Sequence, residues 1–160
     1  MPCSICSANM VAHSFERIGT LADGKTNIFY SSPRRIKVCN EPPEQYISNI
    51  SEHLKESLPN RWIWIFDGKD MPSGSMVSAS TARRIADIVE NEYATTLQII
   101  YVVNPTTPMR LLLGAIRPFL KKEANARIYM CSLGLIEVIN KLQGVGVTKD
   151  DLARIMKLLQ

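Results

Sequence analysis

Apolar residues recur along this chain in two rhythms, one of period two and one of helical spacing. Residues 61–66, Arg-Trp-Ile-Trp-Ile-Phe, are almost continuously apolar and rich in β-formers, as expected of a central strand covered on both faces. Their alternation puts Trp62, Trp64 and Phe66 on one face and Ile63 and Ile65 on the other. A turn-rich loop over 67–74 follows. Ala82, Ile85, Ala86, Val89 and Tyr93 then mark one face of a helix, with Arg83, Arg84, Asp87, Glu90 and Asn91 on its other faces. Leu97–Val103 predicts a second buried strand, stopped by Asn104-Pro105 and Pro108. Residues 109–122 predict a helix, 127–131 a third strand, and 133–143 a further helix ended by Gly144-Val145-Gly146. Thr148, with Asp151 three residues on, resembles a capping box with Asp in place of Glu, opening a terminal helix that runs to about Leu159.

Upstream, residues 26–30 and 35–38 are short β-prone runs around Ser31-Ser32-Pro33-Arg34, a quartet suited to a hairpin turn. Pro42-Pro43 blocks a continuing strand and can open a helix, which Tyr46, Ile50, Leu54 and Leu58 extend until Pro59. Strands that alternate with helices of ten or more residues imply βαβ crossovers. The predicted fold class is therefore α/β, a largely parallel sheet with helices packed against it. Residues 26–160 form one domain in this reading, and 1–25 a short N-terminal extension.

Composition adds little to that picture. With 160 residues, 46% of them hydrophobic, the chain can bury the core of one domain. Its formal net charge of +4 admits an anionic partner without naming one, and nucleic acid is not expected. The longest apolar runs, 62–66 and 99–103, fall far short of the ~20 residues of a membrane span, and no secretory leader is visible. A soluble, cytoplasmic protein is expected, able to sit peripherally on a membrane.

The chemistry-bearing residues are sparse. Cys3-Ser-Ile-Cys6 is a lone C-x-x-C, to which His13 could add a third ligand but no fourth, and Cys39 and Cys131 suit buried, inert thiols. His53 lies amid Ser51, Glu52, Lys55 and Glu56, a solvent-facing pattern. No nucleophile elbow or phosphate-cradling glycine loop occurs, and the Asp67/Asp70 pair, which could hold magnesium, has the character of a solvated turn. No catalytic residue, metal or cofactor is expected; the chain should bind something rather than catalyse a reaction.

The predicted helix over 109–122 departs from an ordinary surface helix. Leu111, Leu112, Leu113, Ala115, Ile116, Phe119 and Leu120 cover more than one face, so it is packed between two layers or presents apolar surface to a ligand or partner. Pro118 removes the hydrogen bond to the Gly114 carbonyl and predicts a kink, made easier by the glycine. Arg110, Arg117 and Lys121 share a basic stripe beside Lys122, suited to phosphate head groups or to solvent near a helix C-terminus.

Taken in order, Ile65-Phe66-Asp67-Gly68-Lys69-Asp70-Met71, Leu97-Gln-Ile-Ile-Tyr-Val-Val-Asn104-Pro105, Arg117-Pro118-Phe119-Leu120 and Ala126-Arg127-Ile128-Tyr129-Met130 resemble the CRAL-TRIO lipid-binding domain over residues 61–135. The resemblance implies an α/β lobe whose sheet floors an apolar cavity closed by a mobile gate helix, here residues 109–120, with Gly114 and Pro118 as its hinge. It implies ligand contacts from Trp62, Trp64 and Tyr101 below and from Leu112, Ile116 and Phe119 above. Arg127 matches a basic residue that contacts inositol phosphate in phosphatidylinositol-transfer members, and a guanidinium fork suits phosphate. Arg110, Arg117 and Lys121 would meet an anionic head group or a membrane surface.

The chain departs from the family's pattern in three places. The short stretch ahead of residue 26 leads us to expect no helical N-terminal subdomain; Tyr93-Ala94-Thr95-Thr96 stands where lipid-transfer members read Tyr-Pro-Glu-Arg; and Trp62 and Trp64 occupy positions of small polar residues, where two indoles could line a pocket or plug it. The divergent branch that includes BCH domains and the lobe beside some RhoGAP domains is similar in lacking that subdomain and in having an arginine seven residues before Arg-Pro-Phe, here Arg110 and Arg117. That branch implies an alternative: a protein-interaction module with a filled pocket, binding a small GTPase or its regulator. A more distant resemblance, to STAS-like regulators, would need Ser73 or Ser75 as a phosphorylated serine. An open cavity bounded by Trp64, Ile116 and Phe119 is the expectation of the lipid reading, and a packed interior that of the rival.

Overall fold

The computed structural model describes residues 14–38, 42–69 and 78–160. Cys3, Cys6, His13, Cys39, Asp70, Ser73 and Ser75 therefore lie outside the described residues. Among the described residues, five strands form one sheet in the order β1 (Phe15–Thr20), β2 (Thr26–Ser31), β3 (Arg61–Asp67), β4 (Leu97–Val103) and β5 (Ile128–Cys131). Only β1 and β2 are antiparallel; β2 to β5 run parallel. The helices are α1 (Pro33–Val38), α2 (Pro43–Ser57), α3 (Ala79–Ile88), α4 (Thr107–Ile116), α5 (Lys122–Ala126), α6 (Leu135–Gly144) and α7 (Lys149–Leu159). A π-helical turn, Val89–Tyr93, extends α3, and a 3-10 turn, Arg117–Phe119, extends α4.

Strands β2 to β5 step across the sheet in one direction. Crossovers of one hand then place their helices on one face. Accordingly Tyr46, Ile47, Ile50 and Leu54 of α2 and Ile85 and Val89 of the α3 segment pack with Trp62 and Trp64. The opposite face carries Ile63 and Ile65, covered by Val138 and Leu142 of α6 and Leu152 and Ile155 of α7. The alternation read from residues 61–66 thus separates two cores, one on each side of the sheet.

The first part of the chain corrects the sequence reading. No hairpin joins 26–30 to 35–38: Pro33 opens α1, and the Ser32 hydroxyl accepts from Arg35 N at 3.2 Å as a helix cap would. The antiparallel partner of β2 is instead β1, joined through Asp23-Gly24, where Gly24 takes φ +67°. The sheet consequently begins ahead of residue 26, and Phe15 is fully buried. That strand also corrects His53. Rather than facing solvent, the residue is 5% exposed, its ring edge-on to Phe15 at 5.8 Å and donating from Nδ1 to the Asn49 carbonyl at 2.6 Å.

Thr148 caps α7 as expected, accepting from Asp151 N at 3.2 Å. The Asp151 carboxylate does not close a capping box; it accepts from Thr20 N at 3.2 Å, while Arg154 donates to the Ile18 carbonyl at 2.8 Å. Both contacts cover the outer edge of β1, the kind of protection an edge strand needs.

Cys131, at the end of β5, is buried, and burial followed by the nearby Glu137 charge pushes its thiol from 9.0 up to about 11. The unfolded thiol ionises first, so the stability tied to the protonated thiol is complete below pH 9 and is lost as pH rises through about 11. Urea unfolding at about pH 8 and about pH 10 should show a fall in stability that is smaller in Cys131→Ala. An identical fall in both proteins would assign the loss elsewhere, for instance to Tyr101, whose phenol is also raised by burial.

Candidate functional site

An apolar cleft lies between the α3 face of the sheet and α4. Its floor is Trp64 and Phe66 of β3, Ile100 and Val102 of β4, and Ile128 of β5. Alternation explains the set, because every second residue of parallel neighbours points to one face. One wall is Ala82, Ile85 and Ala86 of α3 with Val89 of the π turn, and the roof is Leu112, Leu113 and Ile116 of α4 with Leu120 after it. Ala82 and Ala86, four residues apart, are small enough to let α4 approach, and they pack against Leu112, Ile116 and Leu120. The cleft has a volume of about 100 Å³ and opens to solvent at its mouth, below the ~300–1,000 Å³ of most small-molecule sites.

The roof is fixed at its root. Asn104, at φ +47°, turns the chain from β4 towards α4, and its Nδ2 donates to Asp67 Oδ1 at 2.9 Å. Tyr30 OH donates to the other Asp67 oxygen at 2.7 Å, and Lys69 N donates to Oδ1 at 3.0 Å. Burial, then the Asp67 charge, holds the Tyr30 phenol well above its ordinary range. Gly68 is required here, since a Cβ would come within 2.5 Å of the Asn104 carbonyl oxygen. Thr106 caps α4 by accepting from Met109 N at 3.4 Å, and Met109 is buried beneath it. The expected solvated turn at Asp67 is thus corrected to a buried, fully engaged carboxylate, because β2 and β4 both bring donors to the end of β3.

Beyond Ile116 the roof changes character. The helix predicted over 109–122 is not continuous: α4 stops at Ile116, Pro118 sits in the 3-10 turn, and Leu120 is extended before α5 begins. Gly114 lies inside α4, and a Cβ there would meet nothing within 4 Å. Leu111 is 70% exposed on the outer side of α4, and Phe119 is 51% exposed with the Arg83 guanidinium 4.0 Å above its ring.

Of the residues singled out in the sequence, Trp64, Leu112 and Ile116 meet at the cleft. Trp62 lies deeper, fully buried, its indole N–H donating to the Tyr93 carbonyl at 3.2 Å, while the Trp64 indole donates to Ser31 Oγ at 2.8 Å. Neither indole closes the space. Tyr101 is on the opposite face, among Tyr30, Ile63 and Cys131, because Ile100 and Val102 take the cleft side of β4. Phe119 is turned to Arg83 and stands outside the lining.

Among the cations, Arg127 donates from Nη1 to the Ala94 and Leu97 carbonyls at 2.6 and 2.8 Å, tying the start of β4 to that of β5. Arg110 donates to Ser132 Oγ at 3.3 Å, Arg117 is half-buried, and Lys121 lies 3.8 Å from Glu90, so the break after Ile116 divides the stripe expected along one helix. The floor residues Phe66, Ile100 and Val102 and the wall residues Ala82 and Ala86 were legible as buried faces but not as a cleft, which needs the α4 offset. No described helix is long and apolar enough to cross a membrane.

Against known proteins, the family model described as the CRAL/TRIO domain matches residues 28–143. Among solved structures, the crystal structure of Sfh5 superposes with a TM-score of 0.55 at 13% sequence identity, over 79% of this chain and 51% of that one. The chain thus spans about half the length of the Sfh5 chain, and at that identity the likeness is one of fold. No curated protein matches the sequence.

Proposed function

The chain belongs to the CRAL/TRIO domain family, matched over residues 28–143, and from that premise we propose that it binds a lipid or other apolar ligand in the cleft beneath α4, without catalysing a reaction. The observation that carries the reading is the cleft itself: an open, apolar space whose roof is a helix apolar inside, at Leu112 and Ile116, and outside, at Leu111. Burial of apolar surface at ~25 cal/mol per Å² supplies the affinity, about 0.8 kcal/mol for each methylene taken from water. In this reading α4 is the gate, rooted at Asp67 and Asn104, with Gly114 and Pro118 as its compliant points and with Trp64, Leu112 and Ile116 touching the ligand. Arg110, Arg117 and Lys121 stand outside the cleft, where they meet the anionic surface from which a ligand is taken, a lipid membrane. Arg127, engaged with two carbonyls, supports the floor.

Native mass spectrometry of the purified full chain, followed by organic extraction, tests the reading. A bound or extractable apolar molecule is expected; a protein that carries none and takes up none from phosphatidylcholine vesicles would sink it. Gly114→Ala tests the gate separately. With open space at that position, the added methyl should raise helix stability by up to about 1 kcal/mol and slow ligand exchange several-fold. Faster or unchanged exchange would remove Gly114 from the hinge.

A second reading, the BCH-like module that engages a small GTPase or its regulator, is favoured by the outward apolar side chains Leu111 and Phe119. Leu111→Ser with Phe119→Ser would abolish such docking while leaving ligand retention in the cleft intact.

A further inference from the structure

The stretch that follows the roof helix is tied to the α3 wall by two side-chain contacts, and the residue between them lines the cleft. The Arg83 guanidinium lies over the Phe119 ring, 4.0 Å from its centroid. Lys121 Nζ lies 3.8 Å from Glu90 Oε1. Leu120, between Phe119 and Lys121 in the chain, is a lining residue and packs with Ala82, Ala86 and Ile116. Arg83 belongs to α3 and Glu90 to the π turn that extends it, so both holds are on one wall. Residues 117–121 therefore form a strap from the roof to that wall, fastened on either side of its cleft-lining residue.

The strap is stiff within itself and lightly held from outside. Leu120 N donates to the Arg117 carbonyl at 3.1 Å, and Asn125 Nδ2 donates to the Arg117 and Leu120 carbonyls at 2.9 and 3.1 Å. The two holds on the wall are of another kind. Arg83 is exposed and the Lys121 side chain is 72% exposed, and a solvated cation contributes little through such a contact. Glu90 adds a cost: its side chain is only 10% exposed, and Oε2 is buried without a hydrogen-bond partner, an acceptor that gains by meeting water. Holds of this strength give way before the buried root of α4 at Asp67 and Asn104 does.

We propose that the Arg83–Phe119 and Glu90–Lys121 contacts are a latch that sets how fast a ligand enters and leaves the cleft, the strap swinging off α3 as a unit and drawing Leu120 out of the lining. The proposal rests on the reading of the cleft as an apolar-ligand site and adds its regulation. All four latch side chains stand outside the lining. Breaking the latch weakens the closed state equally with and without ligand, so entry and release speed up together while affinity stays nearly constant.

The test follows the release of parinaryl alcohol, a neutral fatty alcohol whose conjugated chain takes energy from the two tryptophans of the full chain, into excess phosphatidylcholine vesicles by stopped flow. Lys121→Met, Glu90→Gln and Arg83→Met should each release it about two- to fivefold faster, with Kd changed by less than about twofold. Lys121→Met and Arg83→Met, both at exposed positions, should keep the Tm of the parent. Glu90→Gln combined with Lys121→Met should release no faster than either alone, because both break one contact, whereas Arg83→Met added to either should multiply the rate. Lys121→Arg should keep the parental rate. Unchanged release from Arg83→Met combined with Lys121→Met, or independent effects of Glu90→Gln and Lys121→Met, overturns the latch and leaves the apolar-ligand reading standing. Failure of the parent chain to take up parinaryl alcohol overturns both.

Discussion

Replacing Asp67 with alanine is expected to lower the free energy of unfolding by about 2–5 kcal/mol, since it strands the Tyr30 hydroxyl and the Asn104 amide where each unpaired group costs about 1–3 kcal/mol. For a chain of this size that corresponds to a fall in Tm of roughly 5–15 °C. Asp67 is 2% exposed and accepts from Tyr30, Asn104 and Lys69 N, so water cannot readily take its place. The consequence reaches the cleft, because Asn104 at φ +47° sets the path into α4. A bound apolar ligand should therefore dissociate faster from Asp67→Ala than from the parent protein. Asp67→Asn, which keeps one acceptor oxygen and loses the other, should fall between. Thermal unfolding of the alanine variant within about a degree of the parent would show that the network does not hold this end of the sheet.

Ala86→Trp is expected to weaken apolar-ligand binding by about 100-fold or more while leaving the fold in place. Ala86 lies on the wall of the cleft against Leu112 and Ile116, and an indole there occupies the room of several ligand methylenes. At about 0.8 kcal/mol each, evicting four or five methylenes removes roughly 3–4 kcal/mol. Overpacking costs about 1–3 kcal/mol of stability when the space is filled, and less where a cleft is open to receive the ring. Titration of a fluorescent fatty alcohol, alongside thermal unfolding, separates the two effects. Unchanged affinity in a folded Ala86→Trp protein would place the ligand elsewhere.

The sequence carried the central strands because their signals are local. Trp62-Ile63-Trp64-Ile65-Phe66 alternates over one strand, and its two faces entered two different cores as the period requires. The π turn at Val89–Tyr93 is not legible in the sequence, since Ala82, Ile85, Ala86, Val89 and Tyr93 fit ordinary helical spacing. Strand β1 was missed for a different reason. Phe15–Thr20 has a weak alternation, and the Ser-Pro quartet is a more conspicuous turn signal than Asp23-Gly24. With β1 unseen, His53 had nothing to cover it and was placed in solvent.

The candidate site divides in the same way. Excess apolar surface on the roof helix was legible from Leu111, Leu112 and Ile116, and the order of its motifs pointed to the family. Tyr101 was put below the ligand although its neighbours Ile100 and Val102 had equal claim, because periodicity separates two faces without saying which faces the roof. Glu90 was assigned to an outer face by its charge, and Arg127 to a head group by its resemblance. In the folded chain the first is buried beside the roof, and the second holds two strand-end carbonyls.

By itself the sequence determined the alternation of strands and helices, the pairing of faces within each strand, and the proline that ends the roof helix. These follow from bond geometry and steric exclusion over a few neighbouring residues. Only the tertiary structure decided which face of β4 floors a cleft, that Asp67 is a buried junction, and that Arg83 and Glu90 hold the segment after the roof. Each of these depends on groups brought together from distant parts of the chain, so no local pattern encodes it.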